Sequence, residues 1–330
     1  MRLLVLGGSD FVGRVVAEDA VRRGWQVTLL NRGTRTPPDG VAVRRGDREA
    51  PDGLAALAED EWDVVVDTWS GAPHVVRDAA RLLSDRAGHY AYVSSRSVYT
   101  FPAPAGADEN APLVESSADA GATDYARDKR GAEIAVTSAF GERSLLVRAG
   151  LILGRHENAG RLPWWLRRLA RGGPVPAPGP YELPLQYVDV RDLAAWTLDS
   201  AARGLSGAYD TVSAPGHTTM GELLEYCAAA TGSAAELRWV TPEEVAAAGV
   251  QPWTGLPVWM PPGELHDALH GADTAAARAA GLRCRPVVET VADTWEWLSR
   301  NPDWRAKNPP GSPGVGLDAD SEALLLAGSS

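Results

Sequence analysis

Lysine is nearly missing from this chain. Among 32 basic residues only Lys129 and Lys307 are lysines, so arginine supplies almost all of the positive charge. Cysteine is equally scarce. Cys227 and Cys284 stand apart, without the clustered spacing of a disulfide framework, which fits a reducing cytoplasm. Six scattered histidines show no ligand spacing, so no metal is expected. No apolar run approaches the ~20 residues that span a bilayer, and because the sequence opens on a strand-like run no signal peptide is expected. A net charge of −11 argues against nucleic acid or an anionic membrane as partner. What remains is a chain of 330 residues without internal repeats, long enough for one large and one small lobe. The expected partner is a small-molecule substrate and the expected assembly a monomer or homodimer.

What is present starts at once. Arg2–Leu6 is an apolar run that reads as a buried parallel strand. It leads into Gly7-Gly8-Ser9-Asp10-Phe11-Val12-Gly13 and a helical pattern over Val12–Arg23. Further strands are expected at Gln26–Leu30, Val41–Arg44, Asp63–Asp67, His89–Val93 and Ser144–Arg148, with helices at Leu54–Glu59 and Pro73–Leu83. Alternation at this spacing means a doubly wound parallel α/β sheet with its ligand at the carboxyl ends of the strands. A glycine turn between a first strand and a helix lets backbone N–H groups approach a pyrophosphate. At the end of the second strand, Asn31 is neutral and Arg32, helped by Arg35, is placed to pair a ribose 2′-phosphate. This favours NADP(H) over NAD(H), with Asp10 in the turn arguing the other way.

Lys129 follows Tyr125 by four residues. On a helix the two share a face, where an ammonium would lower the pKa of the phenol and ready it for proton exchange with a carbonyl/alcohol pair. A lysine kept where arginine is otherwise used implies a task for a compact charge with rotating donors.

These segments resemble the extended short-chain dehydrogenase/reductase superfamily, the NAD-dependent epimerase/dehydratase-like group, over roughly residues 1–300. Gly7–Gly13 resembles its glycine turn, Gly46-Asp47 its adenine-facing acid, and Tyr92–Tyr99 the strand that carries the active hydroxyl, here Ser95. Tyr125 and Lys129 resemble its catalytic pair, and Gln186–Asp192 its late strand and helix start. The Gly-Gly-Ser-Asp-Phe form is similar to that of reductase members and, more distantly, of chloroplast stem-loop-binding proteins. The resemblance implies a Rossmann-type sheet over residues 1–150 with 185–205 returning to it. A smaller interleaved substrate lobe would occupy 151–184 and 206–300. It also implies cofactor contacts from Gly7 through Gly13, Asn31, Arg32, Asp47, Arg48, Thr68, Trp69, Tyr125 and Lys129. Ser95 would position the substrate oxygen, Tyr125 move the proton, and Lys129 tune Tyr125 and hold the nicotinamide ribose.

Departures matter as much. Asp10 replaces the middle glycine of the turn. Nucleotide-sugar enzymes of the group grip a diphosphate with an asparagine and an arginine, where this chain has Leu151 and Leu185. Two leucines leave such a charge unsatisfied, which disfavours a nucleotide sugar. Arg96, Leu151, Trp164, Gln186 and Trp253 are the candidate substrate contacts, and the Pro/Ala/Gly-rich stretch from Thr100 to Ala122 a candidate lid. Helices are expected at Arg191–Ala202, Met220–Thr231 and Val288–Arg300. A linker is expected over 301–317, then one short helix over Asp318–Ala327. The leading functional reading is an NADP(H)-dependent oxidoreductase acting on a ketone, imine or alcohol of a hydrophobic or modestly polar metabolite. The second is an NAD-dependent epimerase or dehydratase that oxidises its substrate transiently. The third is a dinucleotide-binding or RNA-associated protein without catalysis.

Overall fold

The computed structural model describes residues 1–307 and 314–328. The main sheet begins with six strands in chain order: β1 (Arg2–Leu6), β2 (Gln26–Asn31), β3 (Ala42–Arg45), β4 (Trp62–Asp67), β5 (Ala87–Ser95) and β6 (Ser144–Ala149). A seventh, Gly207–Thr211, was not foreseen because its composition is half polar. It pairs with β6 at the edge of the sheet. The order runs from Gly207–Thr211 through β6, β5, β4, β1 and β2 to β3, all parallel. The order reverses between β1 and β4, so a crevice opens above their carboxyl ends.

Strand alternation decides which residues reach which layer. Leu3, Val5, Val64, Val66, Val93 and Val147 face one side, where α1 (Phe11–Arg22) and α5 (Val190–Ala202) cover them. Leu4, Leu6, Val65, Tyr90, Tyr92 and Leu146 face the other, under α2 (Pro73–Leu83) and α3 (Tyr125–Phe140). Burial on both faces is why these strands read as continuous apolar runs. A second apolar cluster, with Trp165, Leu166, Tyr187, Leu223, Trp259 and Leu298 among its members, is built around α4 (Arg161–Ala170), α6 (Met220–Thr231) and the helix Val287–Arg300. The terminal helix Ala319–Gly328 adds Leu325 to it, and its Glu322 meets Arg168 at 2.6 Å. The linker expected over 301–317 falls partly on residues 308–313, outside the described residues.

Two local expectations fail. Leu54–Glu59 forms only a single 3-10 turn over Ala55–Leu57, since so short a segment cannot repay helix nucleation. The stretch Thr100–Ala122 is pinned in place. Its backbone bonds join Thr100 to Pro112, Val114 to Val98 and Gly106 to Gly271, and Tyr99, Ala103 and Ala107 bury together. That is a packed segment and not a free lid. No described helix is long and apolar enough to cross a membrane.

Candidate active site

The turn after β1 is shaped for close approach. Gly7 and Gly8 hold positive φ values of 115° and 84°, and a Cβ on Gly13 would stand 2.7 Å from the Gly8 nitrogen. Only glycines permit that packing of α1 against the turn. A dinucleotide pyrophosphate fits such a cradle. Thr68 closes its far side, its hydroxyl donating to the Leu6 carbonyl at 3.3 Å. Asn31 at the end of β2 is held from both ends. Its amide nitrogen donates to Ser9 at 2.9 Å and its oxygen accepts from the Gly33 N–H at 2.8 Å.

Ser95 ends β5 and caps the short turn Arg96–Val98, its oxygen accepting from the Ser97 N–H at 3.1 Å. Tyr125 is the first residue of α3. That helix start is fixed by Asp124, which accepts from the Arg127 N–H at 3.0 Å, and by Asp128, which accepts from the Thr123 N–H and hydroxyl. Tyr125 stays 51% exposed. Partial desolvation by the surrounding protein raises its pKa above the ordinary phenol value; the Ser95 hydroxyl and the Arg161 guanidinium oppose the rise. The expectation that Lys129 lowers it is therefore corrected. The Lys129 ammonium is buried and donates to the backbone carbonyls of Trp69 at 2.6 Å and Val93 at 2.7 Å, lying 5.9 Å from the Tyr125 ring. Burial brings its own pKa down to about 8, against the pull of Asp67 and Glu133.

Below this surface lies a continuous polar scaffold. Asp67 holds Arg48 through two bonds of 2.7 and 2.8 Å and also accepts from the Tyr90 hydroxyl and the Trp69 N–H. Arg48, expected beside the cofactor, is thus a buried strut under Trp69. Asp47, expected beside the adenine, is exposed. Glu133 accepts from Ser94 and Arg148. Arg148 also donates to the Tyr99 hydroxyl, which in turn donates to Asp210, and Asp210 pairs with Arg96.

Several expected substrate contacts sit elsewhere. Gln186 is fully buried and its amide bonds the backbones of Ser213 and Ala272, so it faces protein on every side. Arg96 is engaged with Asp210 and the carbonyls of Ala268 and Leu269. Leu151 lies in the second apolar cluster, and Trp164 is covered by Gly316. Trp253 lies under Arg161, whose guanidinium stands 5.3 Å from its ring and also pulls down the Tyr125 pKa. Arg161 was missed. One arginine among so many carries no signal in the sequence, and its neighbours come from distant segments. Glu157 was missed too. Its carboxylate, fully buried, takes the first amides of α4, Arg161 N at 2.7 Å and Leu162 N at 3.2 Å. Among the described residues no group of His, Cys, Asp and Glu is placed to hold a metal.

A family model described as "NAD dependent epimerase/dehydratase family" matches residues 3–208. In structure the chain is similar to the UDP-glucose 4-epimerase of Thermus thermophilus in complex with NAD. The two are 22% identical, with 91% of this chain and 99% of that chain covered at a TM-score of 0.63. It is similar to the Bordetella bronchiseptica enzyme WbmH in complex with NAD+, at 17% identity, 90% and 98% coverage and a TM-score of 0.64. UDP-glucuronic acid 4-epimerase from Bacillus cereus in complex with NAD is 13% identical, with 91% and 97% covered and a TM-score of 0.64. No curated protein matches this sequence. These similar structures were solved with NAD, which overturns the expectation of NADP(H) drawn from Arg32 and with it the leading reading as an NADP(H)-dependent reductase. The geometry supplies a reason. Arg35, expected to help with a 2′-phosphate, is tied to Asp10 at 3.0 Å.

Proposed function

The chain belongs to the NAD-dependent epimerase/dehydratase family and is an oxidoreductase of that extended type; from this premise we propose that it retains NAD and oxidises a sugar-like small molecule transiently. The observation that carries this is the Ser95 hydroxyl set against that of Tyr125, with the Lys129 ammonium 5.9 Å from the Tyr125 ring and bonded to the Trp69 carbonyl, one residue after the Thr68 that packs on Gly7. NAD, when bound, supplies the hydride acceptor and donor. The Gly7–Gly13 turn would hold its pyrophosphate, Asn31 its adenosine ribose, and Thr68, Trp69 and Lys129 the nicotinamide half. Ser95 hydrogen-bonds the reacting oxygen of the substrate. Tyr125 takes the proton from that oxygen and later returns it, with Lys129 keeping positive charge nearby.

Epimerisation is favoured over dehydration. Dehydration requires a further acid beside Ser95, and Asp210 is already held by Arg96 and Tyr99. A substrate without a nucleotide diphosphate is favoured as well. Leu185 is fully buried, Leu151 nearly so, and Glu157 occupies the α4 amides that a phosphate would need. The test is to purify the protein, release its nucleotide with acid and identify it. Candidate sugars and sugar acids are then offered without added cofactor, in deuterated water. NAD in the extract, and epimers formed by the wild type but not by Tyr125→Phe, are expected. A protein that carries and binds no NAD, or a Tyr125→Phe variant as active as the parent, would end this reading.

A further inference from the structure

Asp10 brings a carboxylate into the turn where the resemblance expects glycine. It sits at the N-terminus of α1 yet makes no capping bond to that helix. Its oxygens are taken by three segments far apart in sequence: Arg35 at 3.0 Å, the Asn158 amide at 3.1 Å, and the ammonium of Lys307, 297 residues away. Lys307 is the second of the two lysines that this arginine-rich chain contains. Its position is built. Its backbone N–H donates to the Asn158 carbonyl at 2.8 Å. Ala306 lies so close to Gly160 that a Cβ there would approach it to 2.7 Å. Trp304 packs edge-on against Trp297 at 5.6 Å and under Arg167 at 5.3 Å. Residues 302–307 therefore run as a strap from the helix Val287–Arg300, past the segment 158–160, to the turn between β1 and α1.

We propose that this strap completes the dinucleotide site, with Lys307 neutralising Asp10 so that the turn accepts the pyrophosphate of NAD. The inference rests on the NAD reading above. A lone carboxylate in the turn would repel a group carrying two negative charges. With Lys307 and Arg35 in place the local charge becomes net positive. Asp10 is ionised at neutral pH: burial raises its pKa, but the bonds and charges of Lys307, Asn158 and Arg35 together bring it below the usual carboxylate value. The arrangement also ties the far end of the chain to the cofactor turn, which suits a reaction whose cofactor must stay bound through both half-reactions.

A double-mutant cycle tests it, read as NAD affinity from quenching of tryptophan fluorescence on nucleotide-stripped protein. Lys307→Met should weaken NAD about tenfold in the parent, because the carboxylate is left with one cation fewer. In an Asp10→Gly background the same change should cost less than about twofold, there being no carboxylate left to neutralise. Equal losses in both backgrounds would make the strap a mere tether and overturn the proposal. Unchanged or tighter binding in Lys307→Met would overturn it too. Circular dichroism confirms that each variant is folded; Lys307 and Asp10 are both partly exposed, so their replacement leaves the core intact. A folded parent without NAD affinity would instead defeat the functional reading itself, an outcome the cycle separates from the others.

Discussion

Arg148 and Glu133 face each other in a two-bond pair of 2.9 and 3.0 Å, sealed between β6 and α3. Ser94, one residue before Ser95, donates to the same carboxylate at 2.7 Å. The pair thus locks the helix that carries Tyr125 and Lys129 to the two strands beside it. Glu133→Ala leaves the Arg148 cation buried and short of its main partner. The expected loss is ~3–5 kcal/mol of unfolding free energy, measured by denaturant titration, because an unpaired buried charge costs far more than the pair itself contributes.

Tyr125 should show its environment in a pH profile. Burial raises its pKa, so at neutral pH it is almost wholly the protonated phenol, and the fraction able to accept a proton grows as pH rises. The single-turnover oxidation rate should therefore climb with pH well into the alkaline range. Ser95 and Arg161 both pull the pKa down. Removing either, as in Ser95→Ala or Arg161→Leu, should move the alkaline limb to still higher pH. Tyr125→Phe should abolish the limb and lower turnover by roughly 10²–10⁴-fold. A limb that stays put in Arg161→Leu would show that the guanidinium does not act on the phenol.

Lys129 gives a separate signature in stability. Its folded-state pKa of about 8 lies below the unfolded value near 10.5, so between these values the unfolded chain binds more protons. Its contribution to unfolding free energy consequently rises with pH across that window. The protonated ammonium is held at a cost below about pH 8, and the cost fades above it. Urea titrations of wild type and Lys129→Met should diverge across that range, by on the order of 3 kcal/mol at most. Parallel curves would mean that the ammonium is better solvated than its burial implies.

The sequence made the layers legible, because a strand buried on both faces must be apolar throughout and a glycine turn has few structural uses. β1 and α1 lie within a residue of their expected bounds, and α6 matches at both ends. It was silent where partners come from distant segments. Gln186 is turned inward by backbones that arrive from positions 213 and 272. Arg161 gains its place only when Trp253 folds beneath it. The Tyr125–Lys129 spacing was read for proximity alone, and the carbonyls of Trp69 and Val93, which direct the ammonium, have no side-chain signature at all. The scarcity of lysine singled out Lys129, yet the same scarcity applied to Lys307, which was passed over because its surroundings read as linker.

Glu157 supplies the last test, one that separates the α4 amides from any role in holding phosphate. Burial lifts its carboxyl to about 7 despite the nearby Arg161 and its backbone bonds, which pull the other way. The folded-state value is above the unfolded one near 4.5, so the folded protein binds more protons between them. The stabilising contribution is complete below about pH 4.5 and is lost as pH rises through about 7. Glu157→Gln keeps an acceptor for the α4 amides and stands in for the neutral acid at every pH. The variant should therefore match wild type below about pH 4.5 and be the more stable of the two above about pH 7, where wild type buries a charge. If Glu157 is the group that satisfies those amides, phosphate added at about pH 8 should stabilise neither protein. Stabilisation of the wild type by phosphate would show that the amides are open to an anion, and a phosphorylated substrate would return to consideration.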